Sequence, residues 1–155
     1  MRKLPWVETE EARAVCAACG GKCCKRIPGN AYPEDFAPNV EKNLREAIAS
    51  GLWAIDCWEG DLDDTYDPMY VRPQTKKGHM ERRLFDRSWG GECVFFHENV
   101  GCVLPFEKRP KECRMLEPRK GGGCFDHCGD KANAARHWRT YQRLLKEIVR
   151  EGEDR

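Results

Sequence analysis

Four of the ten cysteines lie in one stretch of nine residues, Cys16-Ala17-Ala18-Cys19-Gly20-Gly21-Lys22-Cys23-Cys24. A second group follows much later in the chain. Its members are Cys93, Cys102, Cys113, Cys124 and Cys128. This grouping predicts a scaffold that brings the two sets of thiols together around a metal.

Length and composition predict one domain spanning residues 1–155. The hydrophobic content of 40% is enough for a core. The chain carries 27 basic and 26 acidic residues, for a net charge of +1. Global charge therefore favours no particular partner, and a nucleic-acid or membrane partner would need a local patch.

The number of cysteines can be interpreted only together with the cellular compartment of the protein. The sequence has no apolar run that reads as a signal peptide and no stretch long enough to span a membrane. We therefore expect a cytoplasmic protein without a membrane partner. Thiols stay reduced there, so ten cysteines indicate metal or redox chemistry rather than disulfides. The alternative is a secreted chain whose signal peptide has been removed and whose cysteines pair.

The first half of the chain predicts two helices and two strands. Helices are expected over 8–18, ending at Gly20-Gly21, and over 39–50, ending at Gly51. Strands are expected over 52–58 and 69–72. The acidic segment 59–67 between them lacks the spacing of a calcium-binding loop and is interpreted as a solvated loop. Cys57 stands between two tryptophans and is interpreted as a packing residue.

A basic loop is expected after the second strand, either paired with the acidic loop or open to an anionic partner. Its cations are Lys76, Lys77, Arg82, Arg83 and Arg87. Residues 93–104 then read as a β-hairpin that carries Cys93 and Cys102 on neighbouring strands. A helix starting near Pro110 would place Cys113 close to its N-terminus and beside Arg114. Both features lower a thiol's pKa.

The strongest helical pattern covers about 130–151, with Gly152 as its end. Its apolar stripe consists of Ala134, Trp138, Tyr141, Leu145 and Ile148. Its basic stripe consists of Arg136, Arg139, Arg143, Lys146 and Arg150. Such a stripe is usually a solvated face, and the alternative is a surface for another protein or, with less support, a nucleic acid.

Together these elements predict an α+β fold. We expect a small, helix-rich single domain with a short antiparallel β-hairpin, stapled by a cysteine metal site rather than by a large sheet.

The order of the cysteines and the residues beside them resemble a known family. The blocks Cys16-x2-Cys19-x3-Cys23-Cys24, Cys93-x-Phe95-Phe96, Gly101-Cys102-x-Leu104 and Arg109-Pro110-x2-Cys113-Arg114 are similar to the YkgJ-like CxxCxxCC family of zinc- or iron-chelating domains. The first block has three residues rather than two between Cys19 and Cys23. The resemblance covers about 16–24 and 89–118. It implies a metal site built from Cys16, Cys19, Cys23, Cys24, Cys93, Cys102 and Cys113.

Ligand number leaves the count of metal sites open. A tetrahedral zinc and a [4Fe-4S] cluster each take four ligands, so seven cysteines overfill one site and an eighth would complete two. Cys124 and Cys128 are the candidates for the eighth. Adjacent side chains rarely face the same way, so Cys23 and Cys24 would serve two sites, bridge two ions, or divide into one ligand and one core thiol. His97 and His127 are further candidates, each interpreted first as an ordinary polar residue.

The spacing Cys-x2-Cys-x3-Cys favours iron–sulfur over zinc, because zinc proteins more often use two separated Cys-x2-Cys pairs. The first hypothesis is therefore an iron–sulfur protein, with [4Fe-4S] preferred, acting as an accessory, electron-transfer or maturation factor. The alternative is a zinc-stapled interaction module whose basic helix docks a partner. An enzyme would need an acid or base near the metal. Glu98, Asp126 and His127 are the candidates, but no known catalytic motif surrounds them.

Overall fold

The computed structural model describes residues 28–58, 69–87, 90–97, 101–114 and 131–153. A short 3₁₀ helix, Pro33–Phe36, precedes α1. The regular elements that follow are α1 (Val40–Ala49), β1 (Trp53–Cys57), β2 (Met69–Pro73), α2 (Lys76–Met80), β3 (Phe96–His97), β4 (Gly101–Cys102), α3 (Lys111–Arg114), α4 (Lys131–His137) and α5 (Gln142–Glu153). Two further 3₁₀ turns, Phe106–Lys108 and Arg139–Tyr141, precede α3 and α5. Helices combined with antiparallel pairs make this an α+β fold.

β1 and β2 form the longer antiparallel pair, with Ile55 opposite Val71. Single bridges extend this pair on both sides. Ala31 bridges Val71, and Ile55 bridges Phe85. The segments before α1 and after α2 are thereby tied to the same sheet, and Tyr70 and Val71 are buried between them.

One apolar core joins α1, the β1–β2 pair, α4 and α5. The last helix contributes Leu144, Leu145, Ile148 and Val149, spaced as one face of a helix. Trp138 is fully buried, and its indole N–H donates to the carbonyl oxygen of Ala31 at 2.8 Å. The predicted apolar stripe therefore faces the core, with Tyr141 half-buried at its edge.

The expected single helix over 130–151 is interrupted. The amide of Trp138 is shared between the carbonyl oxygens of Ala134 and Ala135, and the amide of Tyr141 bonds back to the carbonyl of Trp138. These contacts form a 3₁₀ turn directly after Trp138, which is fully buried in the core. The last helix ends at Glu153, within two residues of the predicted end.

Two other predictions need correction. Part of the expected basic loop is the helix α2, whose first turn is capped by the Thr75 hydroxyl accepting from the amide of Gly78 at 2.9 Å. The hairpin over 93–104 exists, but its strands are only two residues long. Cys93 lies outside them and bridges Thr75 instead.

The helix over 39–50 and the strands over 52–58 and 69–72 are confirmed to within about two residues. The expected helix over 8–18, the acidic segment 59–67, the cysteines Cys16, Cys19, Cys23, Cys24, Cys124 and Cys128, and the residues Glu98, Asp126 and His127 lie outside the described residues. Within the described ranges, no helix has the length and apolar character needed to cross a membrane.

Candidate metal centre

Cys93 is held by backbone pairing to the segment that begins α2. The amide of Val94 donates to the carbonyl of Gln74, and the amide of Lys76 donates to the carbonyl of Glu92, both at 2.8 Å. These two bonds flank the bridge between Thr75 and Cys93. Cys93 is thus fixed from both sides and buried, although it belongs to no strand.

Cys102 lies in β4, directly opposite Phe96. The residue before it, Gly101, has a φ of 88°, a left-handed conformation that favours glycine. The chain after it is anchored by the Val103 amide, which donates to the Phe95 carbonyl at 2.8 Å. The guanidinium of Arg109 also reaches back to the carbonyls of Leu104 and Cys102, at 3.1 and 3.4 Å.

Cys113 lies in α3, and Asp35 holds this short helix in place. The Asp35 carboxylate accepts from the amides of Tyr32 and Lys111, at 2.9 and 2.8 Å, and pairs with the guanidinium of Arg114. Burial raises the pKa of Asp35 and outweighs these three contacts, which lower it. Arg114 is therefore engaged with Asp35 rather than serving only the neighbouring thiol.

The three thiols lie close enough for their charges to interact. Burial raises the pKa of Cys93 to about 12, and the charges of Cys113 and Cys102 add to that rise. Burial likewise raises the pKa of Cys102, and Cys113 contributes. The fold therefore brings the cysteines of three separate segments within electrostatic range of one another. Among the described residues, however, no three Cys, His, Asp or Glu side chains form a group that could hold a metal ion.

The sulfurs of Cys93 and Cys102 share one local pattern. Each accepts a hydrogen bond from the backbone amide two residues later, from Phe95 and Leu104 respectively, and in each case this bond lowers the thiol's pKa. Such N–H donors stabilise a thiolate and tune the potential of a bound cluster. The sulfurs of Cys93 and Cys102 therefore each have an amide donor that favours the thiolate form.

Apolar side chains pack around Cys93 and Cys102. Cys93, Phe95 and Phe96 form a buried cluster of their own, separate from the main core. Leu52, Trp53, Val94, Cys102 and Leu104 pack against it. The rings of Trp53 and Phe95 lie 5.6 Å apart between centroids. Apolar surroundings of this kind limit the access of water, and they influence the redox potential and the acidity of groups at a metal site.

A buried ionic group, which the sequence analysis did not predict, lies near Cys93. Arg72 is 0% exposed, and its guanidinium contacts the Asp56 carboxylate at 3.0 Å and the Asp86 carboxylate at 3.5 Å. The Tyr70 hydroxyl also donates to Asp56, at 2.9 Å. The positive charge of Arg72 lowers the pKa of Cys93. β2 is buried on both faces, whereas an arginine in a strand normally faces solvent, so its sequence gave no signal for this group.

The remaining described candidates do not join the three thiols. Cys57 is half-buried at the opposite end of β1 from Trp53, with its sulfur 3.7 Å from the Trp58 carbonyl oxygen. His97 is exposed in β3. The five cations of the predicted basic stripe, Arg136, Arg139, Arg143, Lys146 and Arg150, are all exposed.

The chain was compared with protein-family models, with curated proteins and with solved structures, and it matched none of them. A proposal for the function therefore rests on the thiols and their surroundings.

Proposed function

We propose that this chain is a metal-binding protein that holds an iron–sulfur cluster, preferably [4Fe-4S], through clustered cysteines. The observation that supports the proposal is that the thiols of Cys93, Cys102 and Cys113 lie within electrostatic range of one another. These residues come from an isolated β-bridge, a strand and a helix. Three neighbouring thiolates, one of them buried, are costly unless a cation compensates their charge.

Three thiols need a fourth ligand, and the N-terminal cysteines are the natural source. The described chain begins at Pro28, and the carbonyl of Asn30 accepts from the amide of Glu112 at 3.3 Å, next to Cys113. Three residues separate Cys24 from Pro28, so their Cα atoms are at most about 14 Å apart. We infer that one or more of Cys16, Cys19, Cys23 and Cys24 complete the site. Cys124 and Cys128 are candidates for the eighth ligand, which would complete a second site.

The bound group would supply electron transfer if it is a cluster, or structural stabilisation if it is zinc. The surrounding residues would tune the properties of this group. The amides of Phe95 and Leu104 donate to the sulfurs of Cys93 and Cys102, and apolar side chains pack around these two residues. Arg72 contributes positive charge near Cys93. These features are consistent with an accessory, electron-transfer or maturation factor and with the resemblance to the YkgJ-like family.

The test is an anaerobic purification followed by absorption spectroscopy and analysis of iron, acid-labile sulfide and zinc on one sample. We expect a brown protein with an absorption band near 400 nm, as for iron–sulfur proteins. The triple variant C93S/C102S/C113S should lose the metal, whereas the matched variant C57S should keep it. Full metal content in the triple variant, or no metal in the parent, would overturn the proposal.

A zinc-bound interaction module is the second candidate. It is favoured by the exposure of every cation in the basic stripe along α4 and α5. A colourless protein containing zinc would select it. Binding of a protein or nucleic-acid partner should then weaken with salt and be lost in R139E/R143E.

A further inference from the structure

A cavity of about 730 Å³ is lined by none of the cysteines, and all of its lining residues are described. It is bounded by the end of α1, the turn after α2, Trp53 and the last helix. Its apolar wall consists of Ile48, Ala49, Trp53 and Leu84. This volume lies in the range of small-molecule sites, which combine apolar walls with a few placed polar groups.

The charged part of the lining is entirely cationic or potentially cationic. His79, Arg82 and Arg83 line the cavity, and no Asp or Glu is among its lining residues. Arg83 is partly committed, because it pairs with Glu81 and lies 3.9 Å from Asp86. Within the described ranges Arg82 has no ion-pair partner. Its guanidinium is therefore available to a ligand.

The backbone of Arg82 supplies an independent observation. Its φ is 55°, and it is the one described residue other than glycine with a positive φ. The amide of Arg82 donates to the carbonyl of His79, and the amide of Arg83 donates to the carbonyl of Gly78. These bonds form the Schellman motif that ends α2, in which the left-handed position is normally glycine. An arginine there costs stability, and such strain is concentrated at functional sites.

His79 is held in one orientation. Its Nδ1 lies 2.8 Å from the carbonyl oxygen of Gly51. A carbonyl only accepts, so Nδ1–H donates to it, and in the protonated ring Nε2–H is left to donate to an anion. Gly51 itself has a φ of 77°, a left-handed conformation that favours glycine. The imidazole is thus held in one orientation at the cavity that Arg82 also lines.

We propose that this cavity binds a small organic anion, through a carboxylate or phosphate held by Arg82 and His79 and an apolar body packed on Trp53. Arginine suits either group because its planar guanidinium forms paired hydrogen bonds with both. None of the cysteines lines this cavity, so the proposal does not depend on whether they bind a metal.

The experiment is titration calorimetry on the full-length protein as purified, with benzoate, phenylphosphate and inorganic phosphate at matched ionic strength. We expect saturable binding, tighter for the two aromatic anions than for inorganic phosphate. Whichever of benzoate and phenylphosphate binds more tightly identifies the acidic group. The absence of saturable binding by all three probes would overturn the proposal.

The variant R82G separates a binding role from a structural one. Glycine suits the left-handed position, so the melting temperature should rise by about 2–4 °C. Binding should nevertheless weaken by about tenfold or more. R82K keeps the positive charge but loses the planar guanidinium with its paired N–H donors, so it should bind weakly. R143G, on the exposed face of α5, should bind normally. Unchanged binding in R82G would exclude the assigned role of Arg82.

Discussion

Arg72 is the residue on which the buried ionic group depends. It lies in the middle of β2 with its guanidinium between Asp56 and Asp86, and all three side chains are almost fully buried. Its other N–H groups donate to the carbonyls of Pro73 and Asp86. A buried charge is tolerated only when it is paired and hydrogen-bonded, and Arg72 meets both conditions.

Replacing Arg72 with methionine should therefore destabilise the protein strongly. The change leaves two buried carboxylates without their shared cation, and breaking a buried pair in this way costs about 3–5 kcal/mol. Urea unfolding measures the loss. R143M is the matched control, because Arg143 is 95% exposed on α5 and should change stability by less than about 0.5 kcal/mol. Equal stabilities for the two variants would contradict the role given to Arg72.

Tyr70 makes this group sensitive to high pH. Burial raises the pKa of its hydroxyl, and the negative charge of Asp56 raises it further. Above the ordinary tyrosine pKa of about 10, the unfolded chain loses this proton while the folded protein keeps it. Stability should therefore fall as pH rises past 10, by up to about 1.4 kcal/mol per pH unit from this group.

The comparison of wild type with Y70F between pH 8 and 11 isolates this effect. Other groups titrate equally in both proteins, so the difference in unfolding free energy should be flat below pH 10. Above pH 10 it should decline. A difference that stays constant across the whole range would show that Tyr70 ionises as easily in the folded protein as in the unfolded chain.

At the scale of elements, α3 is too short to be stable alone, because four residues make barely one helical turn. Asp35 compensates by joining the 3₁₀ helix before α1 to the start of α3. Lys111 adds an exposed pair with Glu34. The position of Cys113 therefore depends on a carboxylate that lies 78 residues earlier in the chain.

D35A should cost about 2–3 kcal/mol and reduce metal retention, because two amides and Arg114 lose a charged acceptor. E34A removes the neighbouring exposed carboxylate and should cost less than about 1 kcal/mol with metal retained. Thermal melts and metal analysis of both variants provide the measurement. Full metal retention in D35A would mean that α3 is positioned by other contacts.

At the scale of the whole molecule, two apolar clusters differ in size and composition. The main core contains fully buried Leu44, Ile55, Trp138 and Leu145 and includes no cysteine. The thiol cluster has three buried members, Cys93, Phe95 and Phe96, and its hairpin strands are two residues long. An isolated hairpin of that size is marginal in water.

Metal removal should consequently unfold the thiol cluster before the main core. A structural metal can contribute on the order of 10 kcal/mol to a small site. Hydrogen exchange before and after chelation should show protection lost over 93–97 and 101–114 but kept over 142–153. Uniform protection after complete metal loss would show that the cysteine region folds without it.

Local patterns in the sequence were sufficient to predict α1, β1, β2 and the buried stripe of the last helices, because each depends on residues close together in the chain. The sequence also singled out Cys93, Cys102 and Cys113 as related. It did not show that Arg72 would be buried, since that depends on Asp56 and Asp86 arriving from two other segments. The break at Trp138 coincides with its contact with Ala31, whereas the Thr75 cap of α2 and the left-handed Arg82 are local features that the sequence analysis did not predict. Local periodicity fixes which face of an element is apolar, whereas only tertiary packing decides which charges become buried and which cysteines meet.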